Sequence, residues 1–479
     1  MIYHILPPSS IRTSIQLPAS KSISNRALII HALGKGDCLP ENLSDCDDTR
    51  VMVKALTEGG DTIDILAAGT AMRFLTAYFS ITPGQRILTG TARMQQRPIQ
   101  LLVDALRQLG ADIAYTNREG FPPLRIRGKE PNNCELKNCK QENCELKNCE
   151  QENCEQEVYE KVIYEKEVCE QKKNKQEVCE QEKNKQEVCE QEKKETLCSE
   201  LTLQGNVSSQ YISALLMIGP MLPHGLTLHL SGNIISRPYI DLTLQLMGEF
   251  GAKAEWTSES TITVHPQPYH SVPFTVESDW SAASYWYEMA ALSEEAEIEL
   301  TGLFPNSYQG DSRGRELFSQ LGVETAFTPH GVKLTKSGQR VERMEADLVD
   351  IPDLAQTFVV TCALLNIPFR FTGLQSLKIK ETDRITALRN ELRKLGYAIE
   401  EENDSVLYWN GKRCEAEVSP LIATYEDHRM AMAFAPAALC CPSVRIAHPH
   451  VVSKSYPRYW DDLRQAGFRM EEEATQLSE

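Results

Sequence analysis

Seven permanent cations and two carboxylates stand at places where this chain begins its helices. Lys21, Arg26, Arg97, Lys380, Arg384, Arg429 and Lys454 are the cations, and Asp353 and Glu381 could move protons as base and acid. The densest stretch is LPASKSISNRALIIHAL, residues 17–33. Ser20 is a good helix cap, and Lys21, Ser22, Ser24, Asn25 and Arg26 follow within two turns. Ser22 and Arg26 are four apart and share a face, while Ile23, Ala27 and Ile30 form an apolar stripe on another. A helix start already favours anions through its free N–H groups and dipole, so adding Lys and Arg suits a phosphorylated ligand. A capped surface helix explains the same residues.

Other starts have the same character. AAGTAMR puts Gly69 and Thr70 ahead of an apolar run, where backbone N–H groups can approach an oxyanion. Ser208, Ser209 and Gln210 offer two hydroxyls and an amide, and ISRPYID places Ser236 before Arg237 and Pro238. RMQQRPI carries Arg93 and Arg97, KIKETDRI carries Lys378, Lys380, Glu381, Asp383 and Arg384, and VVSKSYP carries Lys454. DHRMAM sets His428 and Arg429 at the mouth of an apolar helix, where charge calls for a partner. Taken singly, most are explained by capping or a solvated salt bridge. Taken together in an acidic protein, they describe a local basic site for acidic small molecules. The core shows no P-loop, dinucleotide fingerprint or metal-ligand cluster.

The elements that must position these residues form a repeat. Six amphipathic helical patterns end near a glycine and run into a strand-like stretch, at Gly60, Gly110, Gly251, Gly322, Gly396 and Gly467, each placed for a left-handed helix end. The intervals are 50, 141, 71, 74 and 71 residues, and removing a 69-residue foreign segment from the second leaves 72. Between them lie six helices that are apolar nearly all round and so should be buried: SKSISNRALIIHAL, GTAMRFLTAYF, SSQYISALLMIGPML, SDWSAASYWYEMAAL, IPDLAQTFVVTCALL and DHRMAMAFAPAAL. The pattern predicts an α/β protein of six units, in two groups of three, with buried helices enclosed by sheets. The polar starts of the buried helices could then meet in one cleft.

Composition bounds the remainder. A chain of 479 residues exceeds one ordinary core, and a net charge of −17 argues against general nucleic-acid or acidic-membrane binding. MIYHILPPSSIRTS lacks the layout of a signal peptide, and apolar runs such as FVVTCALL are too short to span a bilayer. Of 15 cysteines, nine lie in one low-complexity segment and six are scattered, which points to a reduced cytoplasmic protein. That segment, residues 130–198, has 19 Glu and 12 Lys. Its cysteines recur every five residues and later every ten. Steps of five turn about 140° on a helix, which excludes a coiled-coil seam, and the spacing is not that of a zinc site. A solvated, repeat-expanded insertion is expected, with metal or partner binding as the alternative.

The motifs LPASKSISNRAL, AAGTAMRFL, RMQQRPI, VSSQYISALLM, ISRPYID, IPDLAQT, KETDRI, EDHRMAMAFA and SKSYPRYW run in order through nearly the whole chain. In them the chain resembles the 5-enolpyruvylshikimate-3-phosphate (EPSP) synthase family, the 3-phosphoshikimate 1-carboxyvinyltransferases. The resemblance implies two domains, each of three βαβαββ units, with the active site in the cleft between. The N-terminal domain would span residues 20–273, interrupted by 130–198, and the C-terminal domain residues 1–19 and 274–479. It implies transfer of the enolpyruvyl group of phosphoenolpyruvate to the 5-hydroxyl of shikimate 3-phosphate with release of phosphate, on the route to chorismate and aromatic amino acids. It implies no cofactor, no metal, a cytoplasmic monomer, and sensitivity to glyphosate because Gly69 is retained. By position, shikimate 3-phosphate falls to Lys21, Ser22, Arg26, Ser208, Ser209, Gln210, Ser236, Asp353 and Lys380. Phosphoenolpyruvate falls to Lys21, Gly69, Arg97, Gln210, Arg384, Arg429 and Lys454. Catalysis falls to Lys21, to Asp353 as base near the 5-hydroxyl, and to Glu381 at the enol methylene.

The chain departs from the family pattern at two places. Ala67 stands where the family usually has Asn, and Ser376 where it often has Asn. Both departures bear on affinity more than on reaction type. Two other readings remain. The UDP-N-acetylglucosamine enolpyruvyl transferases resemble this family in fold but lack the SKSISNR and KETDR signatures. A catalytically lapsed scaffold that binds a partner through the insertion is opposed by the presence of Lys21, Asp353, Glu381 and Arg384.

Overall fold

The computed structural model describes residues 1–36, 39–128, 199–380 and 382–473. Expectations for the insertion 130–198 and for Glu381 fall outside these residues.

Twelve α-helices are found among the described residues: α1 (Lys21–Leu33), α2 (Asp47–Thr57), α3 (Gly69–Ser80), α4 (Gln100–Gln108), α5 (Ser209–Ile218), α6 (Arg237–Glu249), α7 (Trp280–Leu292), α8 (Gly314–Gln320), α9 (Ala355–Leu364), α10 (Arg384–Lys394), α11 (His428–Phe434) and α12 (Tyr459–Gln465). The odd-numbered helices up to α11 are of the apolar, buried kind, and each is followed by an even-numbered partner. In α9 every residue is buried, and in α7 all but the last. The intervening helices bury one stripe; α4 buries Leu102, Val103, Ala105 and Leu106.

Around them, among the described residues, stand five four-stranded sheets of one design. Thr62–Asp64 runs parallel to Gly84–Thr89 across α3, and after α4 the hairpin of Asp112–Tyr115 and Leu124–Gly128 adds antiparallel strands. Glu200–Gln204, Leu226–Ser231, Thr261–Val264 and Ala254–Ser258 repeat the order around α5 and α6. A parallel pair needs a crossover, and the buried helix provides it. The N-terminal strands complete sheets built from distant sequence. Ile11–Gln16 pairs in parallel with Ala296–Thr301, and Ile2–Leu6 lies between Arg445–Ala447 and Arg469–Glu473. Met344–Asp347, Phe369–Thr372, Val406–Trp409 and Glu400–Glu402 form the remaining sheet.

The unit holding α1 and α2 differs. No four-stranded sheet accompanies it among the described residues, only bridges such as Glu41 to Thr275. No hairpin follows α2: the chain goes from Gly60 straight to Thr62–Asp64. The missing hairpin accounts for the short first interval of 50 residues. Five of the six glycines follow a helix cap directly with φ between +84° and +96°. At α2 the cap is Glu58, so Gly59, at φ +66°, takes the left-handed place expected of Gly60.

Two separate hydrophobic cores result. One runs from Ala19 to Val276 and includes Ile29, Phe74 and Leu215. The other joins Ile5, Ile11 and Leu17 to residues from Trp280 to Phe468. The chain passes between them twice, side by side: Ser20 N–H donates to Glu277 O (2.8 Å), and Asp279 N–H to Pro18 O (2.9 Å). The carboxylate of Glu277 accepts from Ser307 Oγ, Gln309 Nε2, Trp280 Nε1 and Phe304 N at 2.6–2.9 Å. Burial raises its pKa despite these donors.

Candidate active site

Helix starts from both cores meet around one cavity with about 880 Å³ of empty space, part of it open to solvent. Every described residue that the sequence reading assigned to a ligand or to catalysis lines this cavity.

From the first core, α1 brings Lys21, Ser22, Asn25 and Arg26. Ser20 caps the helix by accepting from Ile23 N, which turns the first helical turn, with Lys21, to the cavity. Lys21 Nζ lies 3.7 Å from Asp48 Oδ2 on α2. Arg26 is 3% exposed. It donates to Thr243 Oγ1 (2.8 Å), Ser22 O (2.9 Å), Ser213 Oγ (3.1 Å) and Tyr239 O (3.4 Å), and lies 5.3 Å from the centre of the Phe74 ring. Burial lowers its pKa to about 10, so it is charged at neutral pH.

Gly69 opens α3 beside Arg97. A Cβ at residue 69 would stand 2.4 Å from Arg97 Nη1 and 3.0 Å from Arg73 Nη1. Arg73 is held by Gly69 O (2.7 Å) and by the Tyr211 ring (5.1 Å). Tyr211 in turn donates to Pro98 O (2.6 Å), fixing the loop that carries Arg97. Gln210 Nε2 donates to Thr70 Oγ1 (3.0 Å), tying the starts of α3 and α5 together. Ser208 caps α5, and Ser236 precedes α6 in a left-handed conformation, φ +56°.

From the second core come Asp353, Lys380, Arg384, His428, Arg429 and Lys454. Asp353, in the short turn Pro352–Leu354, gathers the cations. Arg429 Nη2 donates to Oδ2 (2.8 Å), Arg384 Nη1 to Oδ1 (3.3 Å), and Lys380 Nζ lies 3.5 Å from Oδ1. Burial works to raise the Asp353 pKa, but Arg429, Lys380, Arg384 and Lys21 outweigh it and hold it well below the usual carboxylate range. Asp427 is fully buried, caps α11, and grips Arg384 through Nε (2.7 Å) and Nη2 (3.3 Å). Arg429 is opposed by burial and raised by Asp353, with the net shift well upward.

Contacts also join the two halves directly. Tyr239 OH donates to Asp353 Oδ2 (3.2 Å), Ser453 Oγ to Asp47 Oδ2 (2.8 Å), and Tyr308 OH to Glu249. The two halves are therefore closed on each other. Tyr239, Asp48 and Asp427 were not singled out from sequence. The only signal for Asp427 was its place one residue before a helix, which reads as a cap. Of the charges flagged beside the site, Lys378 instead bonds Asp383, Glu401 and Asp404, Arg93 is exposed, and Arg237 stacks on Trp256. Ala67 lines the cavity, whereas Ser376 lies off it in the turn Gln375–Ile379.

The family model described as EPSP synthase (3-phosphoshikimate 1-carboxyvinyltransferase) matches residues 5–65, 57–140 and 176–463. A 3-phosphoshikimate 1-carboxyvinyltransferase of Bacteroides fragilis is 61% identical over 468 residues, with 98% of each chain covered. One of Pasteurella multocida is 32% identical, with 95% of each covered. Among solved structures, an EPSP synthase from Acinetobacter baumannii superposes with a TM-score of 0.69 at 17% identity over 99% of this chain and 100% of that one. The enolpyruvyl transferase NikO from Streptomyces tendae gives 0.63 at 15% identity, with 99% of each covered. These two structural likenesses concern the fold.

Proposed function

The chain belongs to the EPSP synthase family, and from that premise we propose how its cleft divides the work. The reaction moves the enolpyruvyl group of phosphoenolpyruvate to the 5-hydroxyl of shikimate 3-phosphate and releases phosphate. Both substrates are polyanions that repel each other, so their meeting needs a fixed cluster of cations. The observation that carries the reading is the convergence of Lys21, Arg26 and Arg97 from one core with Lys380, Arg384 and Arg429 from the other on a single cavity.

Shikimate 3-phosphate is assigned to Lys21, Ser22, Arg26, Ser208, Ser209, Gln210, Ser236, Asp353 and Lys380. Phosphoenolpyruvate is assigned to Lys21, Gly69, Arg97, Gln210, Arg384, Arg429 and Lys454. In the addition step Asp353 removes the 5-hydroxyl proton while Glu381 protonates the enol methylene. In the elimination step the methyl group returns its proton and phosphate leaves. The tetrahedral adduct keeps its carboxylate and phosphate, which the same cations hold. Asp353 on its own is a poor base, because the surrounding cations depress its pKa. Phosphoenolpyruvate brings anionic groups to Arg384 and Arg429 and competes with Asp353 for them. Its binding therefore raises the proton affinity of the base that acts next.

The division into domains 1–19 with 274–479 and 20–273 is supported by the change of core near those positions, between Leu17 and Ala19 and between Val276 and Trp280. A monomer suffices, since one chain supplies the whole cavity wall. A reducing, cytoplasmic location agrees with unpaired Cys46, Cys362, Cys414, Cys440 and Cys441. No helix of the described residues is long and apolar enough to cross a membrane.

The test is phosphate release on mixing the chain with both substrates, with UDP-N-acetylglucosamine as the control acceptor. Release from phosphoenolpyruvate with shikimate 3-phosphate, and not with the nucleotide sugar, as acceptor supports the assignment. Lys21→Ala should lose about 100-fold or more while remaining folded, and a fully active variant would remove Lys21 from the site.

A further inference from the structure

A second, smaller pocket lies beside the cleft, with about 440 Å³ of empty space, part of it open to solvent. Lys21, Tyr239, Asp353 and Arg429 line both spaces and so form the wall between them. Asp279 and Asp311 line only the second. Asp311 sits in the short turn Gly310–Arg313, which is pinned at both sides. Gln309 donates to Glu277 Oε2 and Ser278 O, both at 2.8 Å, and accepts from Trp280 N at 3.1 Å. A Cβ on Gly310 would stand 2.5 Å from Pro238 Cβ, so the turn is pressed against the start of α6.

The three acids of the chamber are not equivalent. Asp279 caps α7, its Oδ1 accepting from Ser281 N and Oγ at 2.7 Å. Asp353 is surrounded by cations. Asp311 Oδ1 is buried without a hydrogen-bond partner among the described residues. An ionised carboxylate is strongly disfavoured in such a place, so Asp311 is a neutral acid at neutral pH. Burial, then the charge of Asp353, push its pKa to about 8; Asp279 adds to the rise, and Arg429 and Lys380 oppose it. Arg429, Tyr239 from α6 and Lys21 from α1 are the other titratable groups of its lining, among neutral polar residues such as Ser281 and Ser455.

We propose that Asp311 is a positioning residue for enolpyruvyl transfer, a carboxylic acid whose neutrality leaves Arg429 to Asp353 and the cleft. Once ionised, it competes with Asp353 for the Arg429 guanidinium and draws it toward the second chamber. Phosphoenolpyruvate then loses a ligand. Asp311 touches no reacting atom and passes on no substrate proton. The inference rests on the assignment of Arg429 to phosphoenolpyruvate.

Phosphate release by the full chain, followed from about pH 6.5 to about pH 9.5, tests it. For the native chain, kcat/KM for phosphoenolpyruvate should fall about tenfold between pH 7 and pH 9, mainly through KM. Asp311→Asn, neutral at every pH, should stay within about threefold of the native rate at pH 7 and lose the alkaline fall. Asp311→Ser, also neutral and smaller, serves the same purpose if the amide does not fit. An unchanged alkaline fall in the folded variants, or a flat profile in the native chain, overturns the proposal. Arg429→Gln separates the two levels. If it leaves KM for phosphoenolpyruvate untouched, the ligand assignment itself fails. If it raises KM while Asp311→Asn keeps the native pH profile, only the role of Asp311 is lost.

Discussion

The two halves of the cleft hold their cations by different means. In the half built on α1, α3, α5 and α6, Arg26 is fixed by hydroxyls, carbonyls and a ring face. These order the guanidinium without neutralising it, so its whole charge is offered to a ligand. In the other half, Arg384, Arg429 and Lys380 are tethered by Asp353 and Asp427. There the carboxylates fix the geometry and also cancel part of the field. A ligand that reaches Arg26 on the first side meets a ready charge, although Lys21 beside it lies 3.7 Å from Asp48. A ligand on the second must displace an anion, and that anion is the proposed base. Binding and activation are coupled on one side only.

Removing the anion should break this asymmetry most sharply. Asp353→Asn should lower kcat by about 10²–10⁴-fold, the usual weight of a general base, while phosphoenolpyruvate binds as tightly as before or more so. Weaker binding, seen by calorimetry, would mean that Asp353 orders its cations more than it competes for them. Arg26→Ala should raise KM for shikimate 3-phosphate by roughly 30- to 100-fold, as expected for a lost charge-assisted contact of about 2–3 kcal/mol. Its KM for phosphoenolpyruvate should hardly move, and equal effects on both constants would erase the division between the halves. Gly69→Ala should raise KM for phosphoenolpyruvate about tenfold by pushing Arg97 aside, with shikimate 3-phosphate little affected.

The smallest effect concerns the cores. The second core buries Glu288 completely on α7, and burial holds its pKa well above the usual range, only partly offset by Thr361. The folded chain therefore keeps a proton that the unfolded chain loses. This contribution is fully present below the unfolded carboxyl pKa and fades as pH rises toward the folded value. Glu288→Gln should raise the melting temperature at pH 8 and change it much less at pH 5. An equal shift at both would show that Glu288 is not held neutral.

Much of this is legible in the residues alone. Apolar helices with polar starts, and glycines at regular intervals, fix six units, because burial and left-handed helix ends leave local marks in a sequence. The motif residues then place the cleft. What escaped depends on packing between distant segments. Lys378 and Lys380 sit two apart on the same turn, yet one joins a surface cluster and the other the cavity. Asp427 reads as a helix cap, and only the fold brings Arg384 against it. Nothing local distinguishes neutral Asp311 from charged Asp353, since the difference lies in which side chains surround each.

The pairing of Ile2–Leu6 between Arg445–Ala447 and Arg469–Glu473 sets a timetable for biosynthesis. The strand Ile2–Leu6 leaves the ribosome well over 400 residues before either of its neighbours is made. At about 5–20 residues per second, it waits on the order of half a minute or more. The half that begins at α1 can condense meanwhile, because its own partners emerge together. The opening segment must stay unpaired in the crowded cell throughout, so the other half is the one whose maturation should lean on chaperones.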